Sequence, residues 1–185
     1  MCGIAGYFNP DQNYAENPKQ NFHTLSRMIN TMNHRGPDTY GHTIINSCCL
    51  AHTRLSIIDL ENGRQPMSYT KDGNTYYIVY NGEIYNYKEV KKTLLRKNYT
   101  FETNSDTEVI IAAFCHYGPG FVKELNGIFA IAIYDSMRNT LYLRSGRVIG
   151  RAPMRRRTAV YAVSAAAASC TAPSAYPSPV FGAIR

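Results

Sequence analysis

MCGIAGYF, residues 1–8, sets a cysteine directly behind the initiator methionine and a β-prone run behind the cysteine. Residues 4–8 read as a strand anchored by Ile4, Tyr7 and Phe8, with Gly3 leaving the approach to the sulfur uncluttered. Two readings of Cys2 stay open on these eight residues: a buried structural thiol near a terminus, or a nucleophile exposed when Met1 is trimmed, which a small second residue permits. The chemistry of the second is self-contained. Thiols titrate near ~8.5 and α-amines near ~7.8, so an N-terminal cysteine carries an amine with an appreciable free-base fraction beside a mostly protonated thiol at neutral pH. Threonine paired with its own N-terminal amine is activated in the analogous way.

Further strand-like runs fall at residues 50–53, 55–58, 76–80, 129–134 and 140–143, short and mostly bounded by Gly, Asn or Asp. Helical periodicity places Phe22, Leu25, Met28, Ile29 and Met32 on one face, and Tyr87, Val90, Leu94 and Leu95 on another. A third helix opens at SDTE, where Ser105 and Glu108 have capping-box spacing, and stops at Gly118-Pro119. Strands that outnumber helices without regular β-α alternation predict an α+β layered domain. At 185 residues the chain has the length of one domain.

The formal charge of +7 is not spread evenly. Residues 1–143 hold 7 Lys and 6 Arg against 13 Asp and Glu, whereas residues 144–185 hold 7 Arg, no Lys and no acidic residue. That second stretch is rich in Ala, Ser and Pro and shows no sustained period, so it reads as a separate regime, largely disordered, with a short helix near residues 160–168. Five cysteines form neither a CxxC pair nor a zinc-spaced ladder, and no export signal or membrane span is visible. These features predict a reduced, cytoplasmic protein without a structural metal.

Four segments carry chemistry. In NHRGPDTYG (residues 33–41), Arg35-Gly36-Pro37-Asp38 reads as a tight turn after a helix. In YNGEIYN (residues 80–86), Asn-Gly between β-prone runs is a strong hairpin signal and predicts a type I′ turn. The same pair could instead aim the Asn81 amide and the Gly82 N–H at a developing oxyanion. Asp106 lies in a first helical turn, where a helix dipole stabilises a carboxylate. Arg54 is a lone cation in an apolar run and calls for a partner, a ligand carboxylate being one candidate.

MCGIAG, HRGPD, RLSIIDL followed by QPM, NGEIYN, SDTEVI and LNGIFAIAIYD, in this order, resemble the class II glutamine amidotransferase domain of N-terminal nucleophile type, within it the asparagine synthetase B branch. The resemblance implies a four-layer αββα sandwich over residues 2–143 and a glutaminase half-reaction. It assigns Cys2 as nucleophile and Asn81 and Gly82 as oxyanion hole. It gives Arg54 the α-carboxylate of L-glutamine and Asp106 its α-ammonium, with Leu55, Ile57, Ile58 and Glu83 lining the pocket. It implies no cofactor or metal for this chain; ATP and Mg belong to a synthetase domain, absent here, that is the domain's partner in a full-length, homodimeric family.

Past Leu143 the likeness stops. RSGRVIGRAPM lacks the family's Arg-Asp pair, so the domain is expected to be atypical or incomplete at its C-terminal end, and residues 144–185 read as a frameshifted or fused tail. The rivals are a Cys/His hydrolase using His23, His34, His42, His52 or His116, a basic module offering residues 144–157 to nucleic acid, and an inactive remnant.

Overall fold

β3 (Cys48–Arg54) is buried at all seven of its residues, which a strand achieves only when layers cover both of its faces. The computed structural model describes residues 2–55, 63–148 and 161–162. In it β3 is the centre of a three-stranded antiparallel sheet, flanked by β1 (Gly3–Phe8) and β2 (Thr39–Ile45). Alternation sends Cys49 and Ala51 outward against Leu25 and Ile29 of α1 (Pro18–Thr31). It sends Cys48 and Leu50 inward, where they meet Val79, Ala132 and Tyr134 of a second sheet.

That second sheet has the order β4 (Met67–Lys71), β5 (Asn74–Ile84), β6 (Gly127–Asp135), β7 (Thr140–Val148) and β8 (Tyr161–Ala162), antiparallel throughout. Its outer face carries Ile78, Tyr80, Ile131 and Ile133, covered by α2 (Tyr87–Leu95) and α3 (Asp106–Tyr117). The layers are therefore helix, sheet, sheet, helix, as expected. Among the described residues no helix is long and apolar enough to cross a membrane.

α3 is buried on almost every side, from Asp106 to Phe114. Its start is capped by Ser105, whose hydroxyl accepts from the Thr107 N–H at 3.2 Å. The other half of the expected capping box differs. Glu108 does not return to Ser105; its carboxylate takes the N–H groups of Glu102 and Thr103, both at 2.8 Å, and so fastens the preceding loop to the helix.

The hairpin expected at Asn81-Gly82 does not form, because β5 runs straight through it with Gly82 opposite Phe129 of β6. The tight turn sits at Asp72-Gly73, with φ of 51° and 77°, between Lys71 and Asn74. Two adjacent positive φ values are what a type I′ loop requires. β2 and β4 had no strand signal in the sequence: both are edge strands, half-exposed and polar along much of their length. Of the expected strand at residues 55–58, Leu55 follows β3 as irregular chain and the rest lies outside the described residues.

β7 continues beyond Leu143 to Val148 with Arg144 buried, and Tyr161–Ala162 pair with it as β8. These residues are sheet, not the disorder or helix expected of them; the remainder of 144–185 lies outside the described residues.

Phe121 is fully buried and sits edge-on to Phe114 at 5.5 Å. Phe121→Ala should destabilise the domain by about 3–5 kcal/mol, read as a lower denaturant midpoint at unchanged slope.

Candidate active site

The two sheets meet at a shared end where six sequence-selected residues converge. Ile4 packs into the interlayer core, so Cys2, two residues earlier, points to the same side. Its sulfur accepts from the Leu55 N–H at 3.4 Å, and the thiol faces the Leu55 carbonyl at 3.8 Å. The Cys2 carbonyl accepts from Arg35 Nε at 3.2 Å. The turn after α1 thus has more than a connecting role. It also grips the end of β3, with the Asp38 N–H on the Arg54 carbonyl at 3.1 Å and Pro37 bridged to Arg54.

Arg54 and His52 share the inward face of β3 with Leu50, and both are buried. They line a cleft of about 390 Å³ together with Thr39, Tyr40, Arg64 and Gln65. The His52 ring hydrogen-bonds the Tyr80 main chain, and its Nε2 has no hydrogen-bond partner among the described residues. Burial, reinforced by the Arg54 charge, pushes the imidazole down to about 4, so the ring is neutral at pH 7.

On the facing sheet, β4 begins its pairing at Met67, opposite Ile78, while β5 runs on to Ile84. The Tyr80 N–H points to the side that β4 would occupy, and the Gln65 side chain takes its place, accepting at 2.6 Å. Alternation turns the Gly82 N–H to that same vacated side. It turns the Asn81 side chain to the face of Val79, toward Cys2. Gly82 has φ of 155°, and a Cβ there would collide with the Ile128 carbonyl oxygen. No other residue fits this position. Glu83 is exposed beside it.

Asp106 opens α3 and is 8% exposed. Burial raises its carboxyl above the usual range, opposed by hydrogen bonds from the Tyr80 hydroxyl and from main-chain groups of Ile84 and Thr107. The Tyr80 hydroxyl donates to Asp106 Oδ2 at 3.0 Å and is itself pushed up, first by burial and then by the Asp106 charge. Gln65 Nε2 donates to Thr107 Oγ1 at 3.2 Å.

The structure therefore gathers Cys2, Arg54, Leu55, Asn81, Gly82 and Asp106 at one end of the sandwich; Ile57 and Ile58 lie outside the described residues. Reading the sequence missed Arg35, Gln65, Tyr80 and Thr107. Tyr80 was hidden as one of 15 tyrosines, and Gln65 acts through a hydrogen bond that no periodicity reveals.

A sandwich of two antiparallel sheets between helices, with a cysteine at the head of its first strand, defines an N-terminal nucleophile architecture. The chain belongs to the glutamine amidotransferase domain family, whose model matches residues 1–171. It is 38% identical over 148 residues to asparagine synthetase [glutamine-hydrolyzing] 3 of Bacillus subtilis, covering 80% of this chain and 24% of that one. It is 39% identical over 154 residues to asparagine synthetase B [glutamine-hydrolyzing] of Escherichia coli, covering 83% and 26%. The chain spans about a quarter of the length of these relatives. The solved structure of glutamine phosphoribosylpyrophosphate amidotransferase from B. subtilis shares the fold, with a TM-score of 0.54 at 16% identity over 78% of this chain and 37% of that one.

Removing the Tyr80 hydroxyl takes away a group that lowers the Asp106 pKa, so Tyr80→Phe should move that pKa further upward. A carboxyl-carbon NMR titration of Asp106 in both proteins measures the shift; an unchanged or lower value would contradict the assigned cause.

Proposed function

We propose that this chain is the glutamine-hydrolysing half of an asparagine synthetase, converting L-glutamine to glutamate and ammonia through a γ-glutamyl thioester on Cys2. The observation that carries the reading is the lodging of the Cys2 sulfur beside Leu55, at the end of the strand that bears buried Arg54, on the face turned toward Asn81. Glutamine is a zwitterion with an amide at its far end. Its recognition asks for one guanidinium and one carboxylate at a fixed separation, with a nucleophile further along. Arg54 and Asp106 are the ion-pairing groups.

With Met1 removed, the Cys2 α-amine takes the thiol proton as the sulfur attacks the side-chain amide carbon. The carbonyl oxygen becomes an oxyanion facing the Asn81 amide and the Gly82 N–H. The proton passes to the departing nitrogen, the C–N bond breaks and ammonia leaves. Water, deprotonated by the same amine, then attacks the thioester, and glutamate departs as the thiol is restored. Arg35 holds the Cys2 carbonyl while the bond to sulfur is made and broken.

The relatives' names add the destination of the ammonia. We assign it to asparagine formation by a synthetase domain working with ATP and Mg, in a cytoplasmic and homodimeric enzyme. His52, neutral and tied to Tyr80, is a poorer base for a Cys/His mechanism than the α-amine.

Intact mass should show loss of Met1, and Cys2→Ala should abolish ammonia release from glutamine. Asn81→Ala should lower kcat by about 10²–10³ with a smaller change in KM. Full activity in a Met1-retaining protein would sink the mechanism.

A further inference from the structure

Tyr80 is fastened to the mouth of α3 by two separate routes. Its main-chain N–H reaches Gln65 Oε1 at 2.6 Å, and the other end of the same amide reaches Thr107 Oγ1 at 3.2 Å. Its hydroxyl reaches Asp106 Oδ2 at 3.0 Å, one residue away from Thr107. The circuit closes on itself: β5, the Gln65 side chain, Thr107, Asp106, and back to β5. One route sets where the helix start lies, and the other sets how the carboxylate is turned. Asn81 and Gly82 follow Tyr80 directly in the chain, so the circuit ties the carboxylate to the oxyanion donors through a single residue.

We propose that Tyr80 and Gln65 are positioning residues that hold Asp106 at a fixed separation from Asn81 and Gly82, and thereby set the preference for amides that carry an α-ammonium group. The inference rests on the glutamine reading of the site. Neither residue needs to touch the reacting atoms. Asp106 Oδ2 receives the tyrosine hydroxyl, and main-chain groups of Ile84 and Thr107 also hydrogen-bond the carboxylate, so its orientation is held from both β5 and α3. Without the hydroxyl, the main-chain groups that already bond the carboxylate at the helix start hold it without the pull from the tyrosine, and its aim at a ligand cation is lost. Without the Gln65 amide, α3 and β5 keep the hydrogen bonds that Asp106 receives from the Tyr80 hydroxyl and the Ile84 main chain, and the Tyr80 N–H is left without its acceptor.

A role confined to stability would weaken every ligand alike; a positioning role weakens only ligands bearing the cation. The test uses the full chain with Cys2→Ala, which binds without turning over, and two probes: L-glutamine and 4-carbamoylbutanoate, the same molecule lacking the α-amino group. Calorimetry gives their affinity ratio in this parent and with Tyr80→Phe or Gln65→Leu added. The ratio should fall about tenfold in each variant, the scale of one hydrogen bond to a charged group, through weaker glutamine binding and with the analogue unchanged. In the chain with Cys2 intact, the same substitutions should raise KM for glutamine more than they lower kcat. Thr107→Val breaks the Gln65–Thr107 hydrogen bond and leaves Gln65 on the Tyr80 N–H, so it should act in the same direction as Gln65→Leu, and the two together should cost no more than Gln65→Leu alone.

An unchanged ratio in variants that melt with the parent overturns the proposal. If Gln65→Leu does not fold, Tyr80→Phe, which removes one atom, decides alone. A parent that binds neither probe overturns the glutamine reading itself and this inference with it, whereas a parent that binds both and variants that keep its ratio overturn this inference alone.

Discussion

The site exists because β4 stops short of its neighbour. β5 runs from Asn74 to Ile84, but β4 pairs with it only as far as Met67 opposite Ile78. Beyond that point one edge of β5 has no strand beside it among the described residues, and buried main-chain polar groups without partners are costly. The protein satisfies this edge with side chains. Gln65 accepts the Tyr80 N–H, and the His52 ring of the opposite sheet hydrogen-bonds the same residue's main chain. The next group on that edge is the Gly82 N–H, aimed by strand alternation at the gap left by β4. A donor aimed at such a gap is what the proposed oxyanion hole needs, and on that reading it follows from a strand ending early.

On the proposed reading, recognition and nucleophile come from different layers, which makes the site as dependent on core packing as on its own residues. Cys2 and Arg54 belong to the first sheet; Asn81, Gly82 and, through α3, Asp106 belong to the second. Leu50 and Phe8 packed against Val79, Ala132 and Tyr134 set the distance between them. A methylene lost from that interlayer core would displace the two halves of the site relative to each other, and small displacements of that kind are expensive in catalysis.

The sequence made the centre of the fold visible and its margins invisible, for a physical reason. β3, β5 and β6 are covered on both faces, so their apolar runs register, whereas β2 and β4 are half-exposed edges with polar and tyrosine-rich compositions. Asn81-Gly82 was misread as a hairpin because its glycine is there for close approach to Ile128, not for a turn; the true turn used Asp72-Gly73. Chemistry-bearing residues were legible where their types are unusual for their setting, as with Arg54 in an apolar run. Arg35, Gln65, Tyr80 and Thr107 act through partners between 15 and 42 positions away, and local pattern does not encode such pairs.

Asp106 shows how these constraints meet in one group. A carboxylate 8% exposed would by burial alone drift toward its neutral form, and a neutral acid is a poor partner for an ammonium ion. The start of α3 offers main-chain N–H groups and the positive end of the helix dipole, both favouring charge. The Tyr80 hydroxyl acts in the same direction and in addition occupies Oδ2. Burial strengthens the pull on a bound cation, because less water screens it, and the hydrogen bonds favour the charged form that makes the pull. The two effects oppose each other in the free protein and reinforce each other once an ammonium arrives, since its charge removes the reason for the carboxyl to take a proton. On the proposed reading, a site so arranged would favour the zwitterion of an amino acid over a ligand lacking the ammonium group.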